Sequence, residues 1–313
     1  MWSKLLLVFV LLLGMNGPLQ ARLLDDVVES GVLVVALYTD FPPFSYLKDG
    51  QPAGSDVAIA RELARRLGVE PQWHWHEAGE NVDADLRAAV GKGNALRSWK
   101  VADVMLRVPY DQELGMRNEL VVLTAPYEAE TFLLAHDTRV IEKFESYAVF
   151  MYDKVGVELD SIPDFILSGM FNGRLNRGIV RYPRLSEASE ALLNGEVAAV
   201  MGLAGAVDSM LSGRSNIAIL QPPLAGLLAP QRVIRCPDVK KDWTSSVEIE
   251  AECTSELAEP RTSWDIGMAV RQDSRDLGYA LEDVITQMME DGSLEAIYQE
   301  HGMTYRLPAF LQP

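Results

Sequence analysis

Gly31-Val-Leu-Val-Val-Ala-Leu-Tyr38, then Asp40-Phe-Pro-Pro-Phe-Ser45, then Gly54-Ser-Asp-Val-Ala-Ile-Ala-Arg-Glu-Leu-Ala-Arg-Arg-Leu-Gly68 is the stretch that decides the fold. Val32 to Leu37 is a short apolar, β-branched run, which predicts a buried strand. Pro42 and Pro43 fix φ and remove two donors, so residues 40–45 form a stiff turn. From Asp56 to Leu67 the apolar residues fall at 57, 59, 60, 63 and 67. That spacing is helical, and Gly68 ends it.

The same alternation continues along the chain. Glu70 to His76 reads as a strand, Asp83 to Val90 as a helix, and Val101 to Leu106 as a strand. A segment from Arg107 to Arg117 follows, then an apolar stretch Glu119 to Leu123 and a strand Thr131 to Ala135. In the second half, strands are expected at 154–158, 178–180, 197–201 and 264–271. Helices are expected at 162–170, 185–194, 204–211, 277–290 and 293–300. Residues 222–260 read as irregular and proline-rich. Strands alternating with helices indicate an α/β fold with mostly parallel sheets, and 313 residues suit about two domains.

With 28 Lys+Arg against 45 Asp+Glu, the formal charge is −17. Such a surface repels phosphate backbones and argues against nucleic-acid or anionic-membrane partners. Lys4 precedes an apolar run from Leu5 to Met15, too short to span a bilayer, and Leu19-Gln-Ala21 offers a small residue at a cut site. Residues 1–21 are therefore read as a cleavable secretory signal, with an uncleaved anchor as the alternative. In an oxidising compartment Cys236 and Cys253 either pair with each other or stay free. A bridge would close a polar loop of about 17 residues and contribute roughly 3 kcal/mol.

The order of motifs resembles the family-3 extracellular solute-binding proteins, the periplasmic receptors of polar amino acid ABC importers. The matching pieces are the stretch quoted above, Ala102-Asp103-Val-Met with Arg117 and Ala125-Pro126-Tyr127, and Lys154-Val-Gly-Val-Glu158. Glu187 through Val200, Trp264 through Ser274 and Asp291 through Tyr298 complete the set. The resemblance implies a two-lobed type II periplasmic binding fold joined by hinge strands. Lobe 1 would be 22–131 plus 265–313, and lobe 2 would be 132–264 with an insertion, disulfide-containing if the cysteines pair, over about 222–262. It implies a monomeric, periplasmic, non-enzymatic protein without cofactor. Such a protein closes on a small ligand between its lobes and hands it to ABC importer membrane subunits.

Carried over by residue, the ligand-stacking aromatic falls at Phe41, with Phe44 behind it. The family's acidic residue three positions earlier is Tyr38 here. The arginine that grips a ligand carboxylate matches Arg117 by spacing, and its helper threonine is Gln112. Arg107, Tyr110 and Asp111 are rival pocket residues, because the loop Arg107-Val-Pro-Tyr-Asp111 departs from the family pattern. In lobe 2, Glu158 and Ser161 stand at the turn whose helix N-terminus holds anions in the family. The late aspartate that grips a ligand amine falls at Gly202-Leu203 and is missing. A pocket without these carboxylates should reject ordinary amino acids. The Val-Pro-Tyr-Asp loop also resembles a divergent branch associated with periplasmic quinoprotein (PQQ-type) dehydrogenases, which would imply such a dehydrogenase as partner.

His74 and His76 share one face of a strand but have no third metal ligand in the sequence, and read as an exposed strand face. No nucleophile elbow, metalloprotease, P-loop or dinucleotide motif is present. An enzyme on this fold would need a catalytic acid, for which Glu158 and Asp111 are the candidates.

Overall fold

Close approach of two backbones locks the start of the fold. A Cβ on Gly54 would lie 2.2 Å from the Phe44 carbonyl oxygen, and Gly54 has φ 110°. Only glycine fits, so the proline turn is pressed against the start of the following helix. The peptide bond between Pro42 and Pro43 is cis. The computed structural model describes residues 22–94, 100–223, 231–235, 254–258 and 262–312. The expected signal segment and both cysteines lie outside the described residues.

In chain order the described elements begin with α1 (Leu24–Ser30), β1 (Val32–Tyr38), β2 (Asp40–Phe41), β3 (Ser45–Lys48), β4 (Gln51–Ala53), α2 (Ser55–Leu67) and β5 (Glu70–His76). There follow α3 (Val82–Leu86), continued by a π-turn over Arg87–Gly91, then β6 (Val104–Pro109), α4 (Gln112–Arg117) and β7 (Val121–Asp137). Next come β8 (Val155–Glu158), α5 (Ile162–Gly169), β9 (Ile179–Tyr182), α6 (Leu185–Leu193), β10 (Ala199–Leu203), α7 (Ala204–Leu211) and β11 (Ile217–Leu220). The chain ends with β12 (Gln231–Arg235), β13 (Thr254–Ala258), β14 (Ser263–Arg271), α8 (Arg275–Glu290) and α9 (Ser293–Glu300).

The chain divides into unit 1, up to Glu130 and again from Trp264, and unit 2, Thr131–Ser263. In unit 1, β1 pairs in parallel with β5 and β6, and β14 pairs antiparallel with β6. Helix α2 buries Val57, Ile59, Ala60 and Leu63 of the residues its spacing selected, leaves Leu67 partly exposed, and ends at left-handed Gly68. On the other side, Leu86, Ala89 and Val90 pack with Met105, Val108 and Leu114. In unit 2, β10 runs parallel to β8 and antiparallel to the end of β7, while β9 joins β8 in parallel and β11 joins β7.

Two local expectations are corrected. The stretch expected to be irregular contains β12 and β13, which pair antiparallel from Gln231↔Ala258 to Arg235↔Thr254. Residues 121–137 form one continuous strand rather than separate apolar pieces. Glu128, Glu130 and Thr131 interrupt the apolar pattern there, yet all three are buried within the strand.

Candidate functional site

In parallel α/β sheets ligands bind outside the carboxyl ends of the strands. In unit 1 those ends carry Tyr38 on β1, His76 on β5 and Pro109 on β6. Tyr38 and His76 are Cα partners across the β1–β5 ladder. Asp85, on the inward side of α3, ties them together. It accepts from the Tyr38 hydroxyl at 2.9 Å, lies 2.8 Å from His76 Nε2, and accepts from the Gly79 N–H at 2.8 Å. Burial alone would raise the Asp85 carboxyl, but the hydrogen bonds from His76, Gly79 and Tyr38 outweigh it and hold it below its ordinary value. An ionised carboxylate only accepts, so Nε2 of His76 is the donor. Burial, and then Asp85, push the Tyr38 phenol well up, so it remains a neutral donor.

Phe41 stands beside this group. Its ring meets Tyr38 edge-on at 6.0 Å and tilts against Phe44 at 5.0 Å. Phe44 is fully buried, while Phe41 is partly exposed. Together Phe41, Tyr38, His76 and Asp85 present an aromatic face backed by a fixed carboxylate. The sequence reading missed His76 and Asp85. His76 is 5% exposed rather than part of an open strand face, because Asp85 satisfies it from the following helix. Its place as the last residue of a parallel strand is the signal that points to it.

The remaining candidates are placed differently. Arg107 is buried, not open to a pocket. Its Nε donates to Asp56 Oδ2 at 2.8 Å and its Nη2 to Glu128 Oε2 at 2.8 Å, while Nη1 reaches Glu130 Oε2 at 3.5 Å. Burial disfavours its charge, yet Asp56 and Glu128 raise its pKa well above the ordinary value. Its φ of 57° is stabilised by its own N–H donating to the Tyr127 hydroxyl at 3.1 Å. Tyr298 donates to Glu128 at 2.6 Å, so the cluster ties α9 to β7. Arg117, with its side chain 54% exposed, donates from Nε to Asp83 Oδ1 at 2.7 Å. It is the last residue of α4 and lies at the surface, as does Gln112 at the other end of the helix.

Asp111 is the N-cap of α4, its Oδ1 accepting from the Leu114 N–H at 2.9 Å. Neighbouring Tyr110 is 42% exposed, held through its backbone N–H on the Asp265 carbonyl. In unit 2, Ser161 caps α5 and donates to the Glu158 carbonyl at 2.7 Å. Glu158 ends β8 and is partly exposed. The helix N-terminus expected to take an external anion already has its own carboxylate, because Asp164 accepts from the Asp160 N–H and pairs with Arg181. Among the described residues no group of three His, Cys, Asp or Glu is placed to hold a metal ion. Among them too, no helix is long and apolar enough to cross a membrane.

Residues 33–86 match the model of the bacterial extracellular solute-binding proteins, family 3. A stretch of 58 residues is 47% identical to cyclohexadienyl dehydratase of Pseudomonas aeruginosa, covering 18% of this chain and 22% of that protein. A stretch of 49 residues is 47% identical to the L-cystine-binding protein TcyJ of Escherichia coli, covering 15% and 18%. The sequence match thus spans about a fifth of the curated relatives it finds. In fold the likeness is broader. An ancestral cationic amino acid solute-binding protein superposes with a TM-score of 0.62 at 19% identity, covering 88% of this chain and 98% of that one. An amino acid ABC transporter substrate-binding protein from Streptococcus pneumoniae, bound to L-arginine, gives 0.54 at 21% identity, covering 89% and 97%. The L-cysteine solute receptor of Neisseria gonorrhoeae gives 0.54 at 18% identity, covering 90% and 93%. The chain is similar to the family-3 extracellular solute-binding proteins, in sequence over residues 33–86 and in fold along most of its length. The α/β fold expected from the sequence is the one these proteins share.

Proposed function

Starting from that similarity, we propose that the chain is a periplasmic solute-binding protein that captures a small polar ligand and passes it to ABC importer membrane subunits. The observation that carries this reading is the group at the carboxyl ends of β1 and β5. Phe41 offers a stacking face, and Tyr38, His76 and Asp85 form a fixed polar edge behind it. Binding rather than turnover is favoured, because Asp111, one of the two candidate acids, is engaged as a helix cap.

The ligand is proposed to be other than an ordinary amino acid. Tyr38 and Gly202 stand where amine-gripping carboxylates are expected, and Asp85 is already committed to three donors. Similar proteins are named for L-arginine, L-cystine and L-cysteine, so these belong in any panel beside carboxylates, polyamines, alcohols, aldehydes and PQQ. A second reading, a partner protein of a periplasmic quinoprotein dehydrogenase, draws on the exposure of Tyr110 at 42%, six residues before Met116 at 64%.

A thermal-shift screen tests the proposal. A ligand at 100 times its Kd adds about 2.7 kcal/mol, visible as a clear rise in Tm. The expected result is a saturable rise with one ligand class, reduced in Phe41→Ala. An amino acid hit would overturn the restriction on ligand class. A flat panel together with stable capture of a quinoprotein dehydrogenase would replace the importer reading with the second. Turnover abolished by Glu158→Gln would replace both with an enzyme.

A further inference from the structure

The outward side of α3 carries a feature that the Tyr38 group does not use. A pocket of about 560 Å³ is lined by Arg87, Lys92, Arg117, Asp83, Asn118 and Glu119, among others, all in unit 1. That volume is within the ordinary range of small-molecule sites. It gathers three cationic side chains on a chain whose formal charge is −17.

Local backbone geometry explains why two of them converge. After Leu86 the helix widens into a π-turn, and the Arg87 carbonyl accepts from the Lys92 N–H at 2.7 Å and from the Gly93 N–H at 3.1 Å. In an α-helix, side chains five residues apart diverge by roughly 140°. The i→i+5 closure instead brings residue 92 back over residue 87, and such π-bulges recur at functional sites. Neither Arg87 nor Lys92 has a side-chain hydrogen bond or ion pair among the described residues. The third cation, Arg117, is held in place. Asp83 accepts from Arg117 Nε at 2.7 Å and from Asn118 Nδ2 at 2.6 Å, so its carboxylate is already committed. Among the described residues Glu119 is then the one lining carboxylate with no such bond, against two open cations and one anchored one.

We infer that this pocket binds a small organic anion carrying two or more negative charges, a polycarboxylate or a phosphate ester. Arg87 and Lys92 are the contacting residues, and Arg117 fixes the orientation of the anion. The pocket lies on the opposite side of α3 from Asp85, which is buried inward, so its ligand is separate from the one at Phe41.

The experiment is a thermal-shift titration of the full chain with citrate and with pyrophosphate, against sodium chloride at matched ionic strength. The expected result is a saturable Tm rise with one of them. Its apparent Kd should rise roughly tenfold or more in the double variant Arg87→Gln with Lys92→Gln, since both cations hold the anion by charge-assisted hydrogen bonds that glutamine cannot replace. Both residues are exposed, so the double variant should melt at the parent temperature without anion. Phe41→Ala should keep the response, which separates this site from the proposed importer ligand. Citrate alone would assign the carboxylate class, and pyrophosphate alone the phosphate class. A rise matched by sodium chloride, one unchanged in the double variant, or one removed by Phe41→Ala would overturn the inference.

Discussion

The guanidinium carbon of Arg107 lies 3.6 Å over the centre of the Phe44 ring. One face of this cation is thus closed by an aromatic of the proline turn, while its edges meet Asp56, Glu128 and Glu130. Three carboxylates around one buried guanidinium make Arg107 the residue on which this part of unit 1 depends. Arg107→Met should cost about 3–5 kcal/mol at neutral pH, because it leaves buried carboxylates uncompensated. Urea unfolding measures this. Adding Asp56→Asn should return part of the loss, and a single variant as stable as the parent would mean that the cluster is neutral.

The bond between the Tyr38 hydroxyl and Asp85 is expected to couple the two residues energetically. A double-mutant cycle with Tyr38→Phe and Asp85→Asn should give a coupling of about 1–2 kcal/mol, the range for a partly buried bond to a carboxylate. Strict additivity of the two losses would mean that Asp85 is fixed by His76 and Gly79 alone.

Asp137 ends β7, and its carboxylate accepts from the Arg139 backbone N–H at 2.9 Å and from Arg139 Nε at 2.9 and 3.1 Å. The hydrogen bond from Arg139 brings its pKa from 3.8 down to about 2. A depressed pKa stabilises the fold above the unfolded value, and that contribution is lost as pH falls through the folded one. Asp137→Asn should therefore cost about 1–2 kcal/mol at pH 7. The difference from the parent should shrink from about pH 5 and vanish only by about pH 1. A difference that does not fall between about pH 5 and pH 2 would point to a neutral hydrogen bond instead.

Gly202 and Leu203 stand where a ligand-gripping aspartate is expected from the resemblance, and Gly202 has no room for one. A Cβ there would lie 2.4 Å from Leu185 Cδ2 and 2.6 Å from Cδ1. Gly202→Asp should thus destabilise unit 2 by about 1–3 kcal/mol through overpacking. Leu185→Ala in the same chain should recover part of the loss. Unchanged stability in Gly202→Asp would show that Leu185 moves aside freely.

Most of the elements were legible in the sequence, because period and punctuation agree there. Helix α2 has its apolar stripe and its closing glycine, and α8 and α9 are separated by Asp291-Gly292. What was not legible rests on contacts distant along the chain. Asp56 is buried because Arg107, 51 residues later, comes to it, and no local pattern announces that pairing. Arg117 has the right spacing to Pro126, yet spacing fixes position in the chain rather than direction from a helix. Arg117 ends α4 at the surface, where its guanidinium is taken by Asp83. His76 looked like half of an open histidine pair because Asp85, nine residues on, had no reason to stand out from Asp83.

The order of the units along the chain has a consequence for biosynthesis. Unit 2 interrupts unit 1, so β14, α8 and α9 leave the ribosome only after unit 2 has emerged. Until then the nascent chain holds β6 with one edge unpaired, and such an edge invites association with other chains. The late pieces also supply Asp276 to the Leu24 N–H, Asp291 to Arg66 and Tyr298 to Glu128. Each is a contact across more than 150 residues of sequence. Non-local closure of this kind slows folding, so the sheet of unit 1 stays open at β6 until β14 has emerged behind the whole of unit 2.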